Sequence, residues 1–426
     1  MIEIQPIAKI DAAIEVPGSK SLTQRALIAA SLAEGTSKLV GPLASEDTEY
    51  SSKALHQMGI TMDKDLSGRE WLVHGRGGLI QTSDEPIFLG NNGTATRFLT
   101  SVAALGNGTY TIDGDPRMHQ RPIGPLIAAL RGWGVDISAI KGTDCPPLAI
   151  NGRGIAGGTT ILPEGKSSQY LSSLLLVAPY ARTPARLKVE GEVLSKPYVA
   201  MTLSVMDAFG IPVDCSADFS SFSIPQGCYR AREYQIEGDA SNASYFWAAA
   251  AVTGGRVTVT NVPVPSLQGD ALLVPLLGRM GCEVTRTGNG ITLQGNSRLT
   301  GIRVDMGDMP DVVPTLAVVA AFAHGKTVIE NIAHLRIKEC DRLSAVVSEL
   351  TKLGVTVEEQ PAAMIIHGEG GAGLRGAQIE TYEDHRMAMS LAVAGLRIPG
   401  VQITGEECVA KSFPDFWQRF ALLADC

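Results

Sequence analysis

A glycine set between bulky apolar neighbours returns along this 426-residue chain at a nearly constant interval. The copies are Met58-Gly59-Ile60, Trp133-Gly134-Val135, Phe209-Gly210-Ile211, Met280-Gly281-Cys282 and Leu353-Gly354-Val355, with glycine spacings of 75, 76, 71 and 73. A long fixed period is the mark of a repeated supersecondary unit. Six such units account for all 426 residues. Each has the same predicted order. A strand runs into a polar turn, then into a helix rich in small residues (SLTQRALIAASLAEG, TATRFLTSVAALGNG, SQYLSSLLLVAPYA, ASYFWAAAAVTGG, PTLAVVAAFAHG, HRMAMSLAVAGL). A strand such as TYTIDG or RVTVTNV follows, then a second polar turn and an amphipathic helix that stops at the glycine. The unit predicted is βαβαββ, and the class α/β. With 46 glycines and only 5% aromatic residues, close layers of small side chains are favoured over an aromatic-rich sandwich.

Bulk properties narrow the function. A net charge of −8 argues against nucleic acid. The longest apolar runs, such as Leu316 to Ala323, are too short for a bilayer. The N-terminal stretch MIEIQPIAKIDAAIEVPG has no apolar signal core. Seven scattered cysteines without a CxxC pair read as reduced thiols of a cytoplasmic protein. The seven histidines have no metal-ligand spacing, so no metal is expected.

Polar residues gather where the helices start. At the first helix of each unit stand Lys20-Ser21, Asn91-Gly93-Thr94, Ser167-Ser168-Gln169, Asp239-Ser241, Asp311 and Asp384-His385-Arg386. At the second stand Asp47, Arg121, Ser195-Lys196-Tyr198, Gln268-Asp270, Lys338-Glu339-Asp341-Arg342 and Lys411. A helix N-terminus carries unpaired N–H groups and about half a positive elementary charge, which suits an anion. Asp239, Ser241 and Asp270 also read as simple caps. Lysine and arginine do not, because they oppose the dipole. Their recurrence points to a bound polyanion or to solvated surface charge. Two GxGxxG matches, at Gly152 and Gly368, lead into TTIL and AQIE rather than helices, which excludes a dinucleotide loop. Gly165-Lys166-Ser167 and Gly325-Lys326-Thr327 end like a P-loop but lack its first glycine, so an ATP site has no support.

The motifs VPGSKSLTQRALIAASLAEG, LGNNGTATRFL, GDPRMHQRPIGPL, SSQYLSSLLL, SKPYVAMTL, EGDASNASYFWAAAA, MPDVVPTLA, RIKECDRL, YEDHRMAMSLAVAG and AKSFPDF together resemble the EPSP synthase family of enolpyruvyl transferases, in order and over the whole chain. The resemblance implies a two-domain inside-out α/β barrel of six repeats, three per domain. The domains implied are 1–19 with 239–426, and 20–238, with hinge crossovers near 19–20 and 238–239 and closure over the substrates. It implies transfer of the enolpyruvyl group of phosphoenolpyruvate to the 5-hydroxyl of shikimate 3-phosphate, with release of phosphate. No cofactor is implied. A monomer is, and so is inhibition by glyphosate at the donor site.

Site residues follow from the matching motifs. For shikimate 3-phosphate they are Lys20, Ser21, Arg25, Ser167, Ser168, Gln169, Ser195, Tyr198, Asp311, His334 and Lys338. For phosphoenolpyruvate they are Lys20, Asn91, Gly93, Arg121, Gln169, Glu339, Arg342, His385, Arg386 and Lys411. Asn91 and Thr94 are expected to shape the turn beside Gly93. Asp311 is the candidate base at the substrate hydroxyl. Glu339 and Lys20, a lysine expected among cations, are candidates for proton transfer at the methylene carbon and the leaving phosphate. His334 stands where the family usually has an asparagine, Phe98 where proline is frequent, and Asn92 where a small residue is common. Cys340 and Cys408, beside site residues, read as packed thiols. Two alternatives stay open. The sister transferase acting on UDP-N-acetylglucosamine uses a loop cysteine and a Lys-Asn pair, and here GDPRMHQRPIG has no cysteine and the pair is Lys20-Ser21. A non-catalytic anion-binding scaffold would lack the catalytic groups, which are present.

Overall fold

Small residues in the first helix of each unit dictate how the layers form. In a computed structural model, which describes residues 1–165, 167–288 and 290–424, these helices are buried almost all round. Lys166 and Cys426 lie outside the described residues; the six described cysteines are free thiols. The chain divides into two compact units, Gly18–Ile236 and Met1–Pro17 with Glu237–Cys426. Among the described residues no helix is long and apolar enough to cross a membrane.

In the unit Gly18–Ile236, three four-stranded sheets share one pairing plan. Glu34–Val40 pairs parallel with Glu233–Gln235 and antiparallel with Glu70–Arg76, which pairs antiparallel with Thr61–Lys64. The same plan joins Ile87–Phe88, Asn107–Asp113, Leu148–Arg153 and Asp136–Ala139. It recurs in Gly158–Leu162, Ala185–Val189, Ser221–Ile224 and Asp214–Cys215. Helices Lys20–Leu32, Gly93–Leu105 and Ser168–Val177 pack on one another in the core of this unit. Ser101 and Ser173 share a hydrogen bond of 2.6 Å between two of them.

The second unit repeats the plan with Asp11–Ile14, Arg256–Val259, Gly290–Gln294 and Glu283–Thr287. A larger sheet centres on Ala323–Glu330, and a smaller one joins Ile2–Ile4, Val401–Ile403 and Gln378–Ile379. Helices Ala240–Thr253, Val313–Ala321 and His385–Gly395 form its core. Thr315 bridges them, 3.1 Å from Ser244 and 3.2 Å from Ser390, all three hydroxyls buried. These partners are 71 and 75 residues apart, and Ser101 and Ser173 are 72 apart, which is the glycine period. A hydroxyl inside a helix bundle needs a partner, and its counterpart one repeat away supplies it. The repeat glycines end their helices with φ of 85, 80, 91, 115 and 94°, a conformation that costs other residues a steric clash.

Candidate functional site

In the unit Gly18–Ile236 the expected residues collect at the starts of the three buried helices. Ser19 caps the first, accepting from Leu22 N–H at 3.4 Å. Lys20 Nζ lies 3.2 Å from the Asp47 carboxylate, so an anion is among its neighbours. Arg25 is 2% exposed. It donates to Thr202 at 2.7 Å, the Ser21 carbonyl at 2.9 Å and Ser172 at 3.1 Å. Its guanidinium lies over the rings of Phe98 and Tyr198. Burial lowers its pKa to about 10.

In the turn LGNNGTATRFL the two asparagines have separate tasks. Asn92, and not Asn91, caps Gly93–Leu105, accepting from Ala95 N–H at 2.9 Å. The Asn92 amide also donates to the Asp47 carbonyl at 2.7 Å. Asn91 holds Arg121 through its carbonyl and side-chain oxygens at 3.0 and 2.9 Å. Thr94 accepts from Gln169 at 3.1 Å. Arg97, which the sequence reading passed over, donates to the Gly93 carbonyl at 3.0 Å and the Pro122 carbonyl at 2.9 Å. Its position, an arginine inside an apolar helix four residues after Gly93, was the available signal. Ser167 and Ser195 occupy the N-cap positions of Ser168–Val177 and Lys196–Ala208, and Ser195 takes a left-handed φ of 56°.

In the other unit, the residues Lys338, Glu339, Arg342, Asp311, Asp384 and Arg386 form one ionic network. Arg342 begins the helix Arg342–Lys352, capped by Asp341. It donates to Asp384 at 2.6 and 3.2 Å, to Glu339 at 2.7 Å and to Asp311 at 3.0 Å. Arg386 donates to the other Asp311 oxygen at 2.6 Å, and Lys338 Nζ lies 3.9 Å from Asp311. Three cations thus face three carboxylates. Within this network the positive and negative charges balance. Burial alone would raise the Asp311 pKa, but Arg386, Lys338 and Arg342 hold it well below the usual carboxylate range. Burial opposes the charge on Arg342, yet Asp384, Glu339 and Asp311 together push its pKa further up. Asp384 was noted only as a helix-start residue. Here it is fully buried, grips Arg342 and accepts from Arg386 N–H at 2.9 Å.

The remaining expected residues are distributed around this network. His334 is 6% exposed, and burial, helped by Lys338, lowers its pKa to about 3 against the opposing pull of Asp311. Among the described residues neither ring nitrogen has a hydrogen-bond partner. His385 is completely buried, with Nδ1 3.7 Å from Asp384. Lys411 ends the short turn Glu406–Lys411 and is 7% exposed. Ser241 and Asp270, read as caps, instead bond to each other, while Asp239 does cap its helix, accepting from Asn242 N–H at 2.8 Å. Burial, then repulsion from Asp311, raises the Asp270 pKa to about 6. Burial also pushes the Cys340 and Cys408 thiols up, the latter to about 12, which makes both poor nucleophiles. Among the described residues no cluster could hold a metal.

The sequence profile described as EPSP synthase (3-phosphoshikimate 1-carboxyvinyltransferase) matches residues 4–420. The chain is 46% identical over 412 residues to a 3-phosphoshikimate 1-carboxyvinyltransferase of Trichormus variabilis, covering 96% of each. It is 41% identical over 438 residues to the chloroplastic enzyme of that name from Brassica napus, covering 98% of this chain and 84% of the other. A solved structure of EPSP synthase from Acinetobacter baumannii superposes with a TM-score of 0.82 at 28% identity, over 99% of this chain and 97% of that one. This chain belongs to the EPSP synthase family of 3-phosphoshikimate 1-carboxyvinyltransferases.

Proposed function

We propose that the chain transfers the enolpyruvyl group of phosphoenolpyruvate to the 5-hydroxyl of shikimate 3-phosphate, giving 5-enolpyruvylshikimate 3-phosphate and phosphate, with the residues above in the following roles. The observation that carries the assignment is Asp311, whose two oxygens are each held by a different arginine, Arg342 and Arg386. Both substrates are phosphorylated carboxylates, and guanidinium forks bind such groups bidentately. Arg121, Arg342, Arg386, Lys411, Lys20, Gln169 and the turn Asn91–Gly93 bind the donor. Ser21, Arg25, Ser167, Ser168, Ser195, Tyr198, His334 and Lys338 bind shikimate 3-phosphate.

The chemistry needs the hydroxyl to lose a proton as it attacks C2 and the methylene C3 to gain one. The second transfer then reverses as phosphate leaves. While its arginines are engaged, Asp311 is a weak base. A donor anion that draws Arg342 and Arg386 toward itself raises the proton affinity of Asp311, so base strength appears once the donor is bound. Glu339, 2.7 Å from Arg342, and Lys20 are the groups for the C3 and phosphate protons. Gly93 supports glyphosate as a competitor of phosphoenolpyruvate. The recurring sheet plan supports six βαβαββ copies, three in each unit, with the helices inside, as an inside-out barrel.

Phosphate release from phosphoenolpyruvate tests the assignment. Release that requires shikimate 3-phosphate is expected. Release with UDP-N-acetylglucosamine in its place, or none with either, would overturn it.

A further inference from the structure

The helix Arg342–Lys352 holds the segment ahead of Arg386 at two places. At its start, Arg342 grips the Asp384 carboxylate. Seven residues on, two turns along the same face, stands Glu349, which is completely buried. Its carboxylate accepts from the Glu380 backbone N–H at 3.0 Å and from the Tyr382 hydroxyl at 2.7 Å. Lys352 supplies the counter-charge at 2.8 Å. Between the two grips the chain reverses in a turn closed by Asp384 N–H donating to the Thr381 carbonyl at 2.9 Å. Its central residues, Tyr382 and Glu383, both have φ of 54°. A turn with positive φ at both central positions ordinarily takes Asn and Gly, because other side chains clash there. Two such residues in succession persist only where their surroundings hold them. The next residue, Asp384, caps the helix on which Arg386 stands.

We propose that Glu349 is a positioning residue for Arg386. Through Glu380 and Tyr382 it holds the Tyr382-Glu383 turn in the conformation that seats Asp384 against Arg342 and directs Arg386 to Asp311. The proposal rests on the reading that Arg386 binds the donor anion. A buried carboxylate remote from the reacting atoms thereby sets the donor affinity.

Steady-state phosphate release by the full chain tests this. Tyr382→Phe removes one hydroxyl from an exposed side chain. It is expected to raise the KM for phosphoenolpyruvate about five- to tenfold, the upper part of the net range of a single hydrogen bond, with kcat changed less than about twofold. In an Arg386→Lys background the same change is expected to add no further increase. Glu349→Gln is expected to raise the KM more, and Tyr382→Asn with Glu383→Gly, which suits the turn without a clamp, to restore it. Two results would overturn the proposal: an unchanged KM with only a lowered melting temperature, or a Tyr382→Phe effect that multiplies in full with Arg386→Lys. If Arg386→Lys alone leaves the donor KM unchanged, the donor role of Arg386 fails instead, and the positioning role falls with it.

Discussion

A β-carbon on Gly93 would stand 2.4 Å from Nη2 and 2.7 Å from Cζ of Arg121. Arg97 Nη1 would be 2.8 Å away. Arg121 is 4% exposed and tied to Asn91 by two bonds, so it has little room to yield. The bare backbone at Gly93 therefore serves to seat Arg121, and in the proposed assignment it also leaves space for the donor. Gly93→Ala is expected to raise the KM for phosphoenolpyruvate by about tenfold, roughly the loss of one charge-assisted bond. The glyphosate inhibition constant is expected to rise further. Inhibition kinetics at varied phosphoenolpyruvate check both, and equal losses would count against the reading.

Asp311→Asn keeps the shape of the side chain and removes its charge. As the base for the 5-hydroxyl it is expected to contribute about 10²- to 10⁴-fold to kcat. Steady-state rates, with calorimetric binding of shikimate 3-phosphate, separate this role from binding. A variant that keeps kcat and loses only affinity would make Asp311 a binding residue.

His334 makes stability depend on pH with a definite sign. Its folded pKa of about 3 lies below the ordinary value of 6.5, so between those values the unfolded chain binds a proton that the folded chain refuses. Stability from this residue is complete above pH 6.5 and falls as the solution is acidified. The loss at pH 5 is about 2 kcal/mol. Asp270, raised to about 6, works in the opposite direction below that pH, since its folded form takes up a proton first. His334→Asn removes only the histidine part. Between pH 7 and 5 the parent protein is expected to lose about 2 kcal/mol more than this variant, as read by urea unfolding. Parallel losses would show that His334 is protonated in the folded protein.

Arg25→Lys replaces a fork that reaches Ser21, Ser172 and Thr202 with a point charge. An ammonium cannot reproduce those three directions. The KM for shikimate 3-phosphate is expected to rise by about tenfold or more, and stability to fall by about 1–3 kcal/mol from the unpaired buried hydroxyls. Kinetics and thermal unfolding measure the two effects separately. An unchanged KM would confine Arg25 to a structural role.

Much of the architecture was legible because backbone demands leave local marks. The repeat glycines stand where a left-handed φ ends a helix, and that requirement recurs at all five copies. Helix starts were legible for the same reason. Which helix-start residue performs which task was not. Asn91 and Asn92 are adjacent and chemically identical, yet one caps a helix and the other holds Arg121. Ser241 and Asp270 both suit a cap, but folding places them within reach of each other. Glu349 gave no signal, because a buried carboxylate and an exposed one look the same on an amphipathic helix.

The chain's own order of residues was enough to establish the period, the α/β class and the family. Its cations, however, suggested an open positive field. Only the folded molecule places Asp311 against Arg342, 31 residues away, and Arg386, 75 residues away. Coulomb pairing depends on separation in space and on exclusion of water. No spacing along the chain records either, so the state of charge at the site emerges only when the repeats close on one another within their unit.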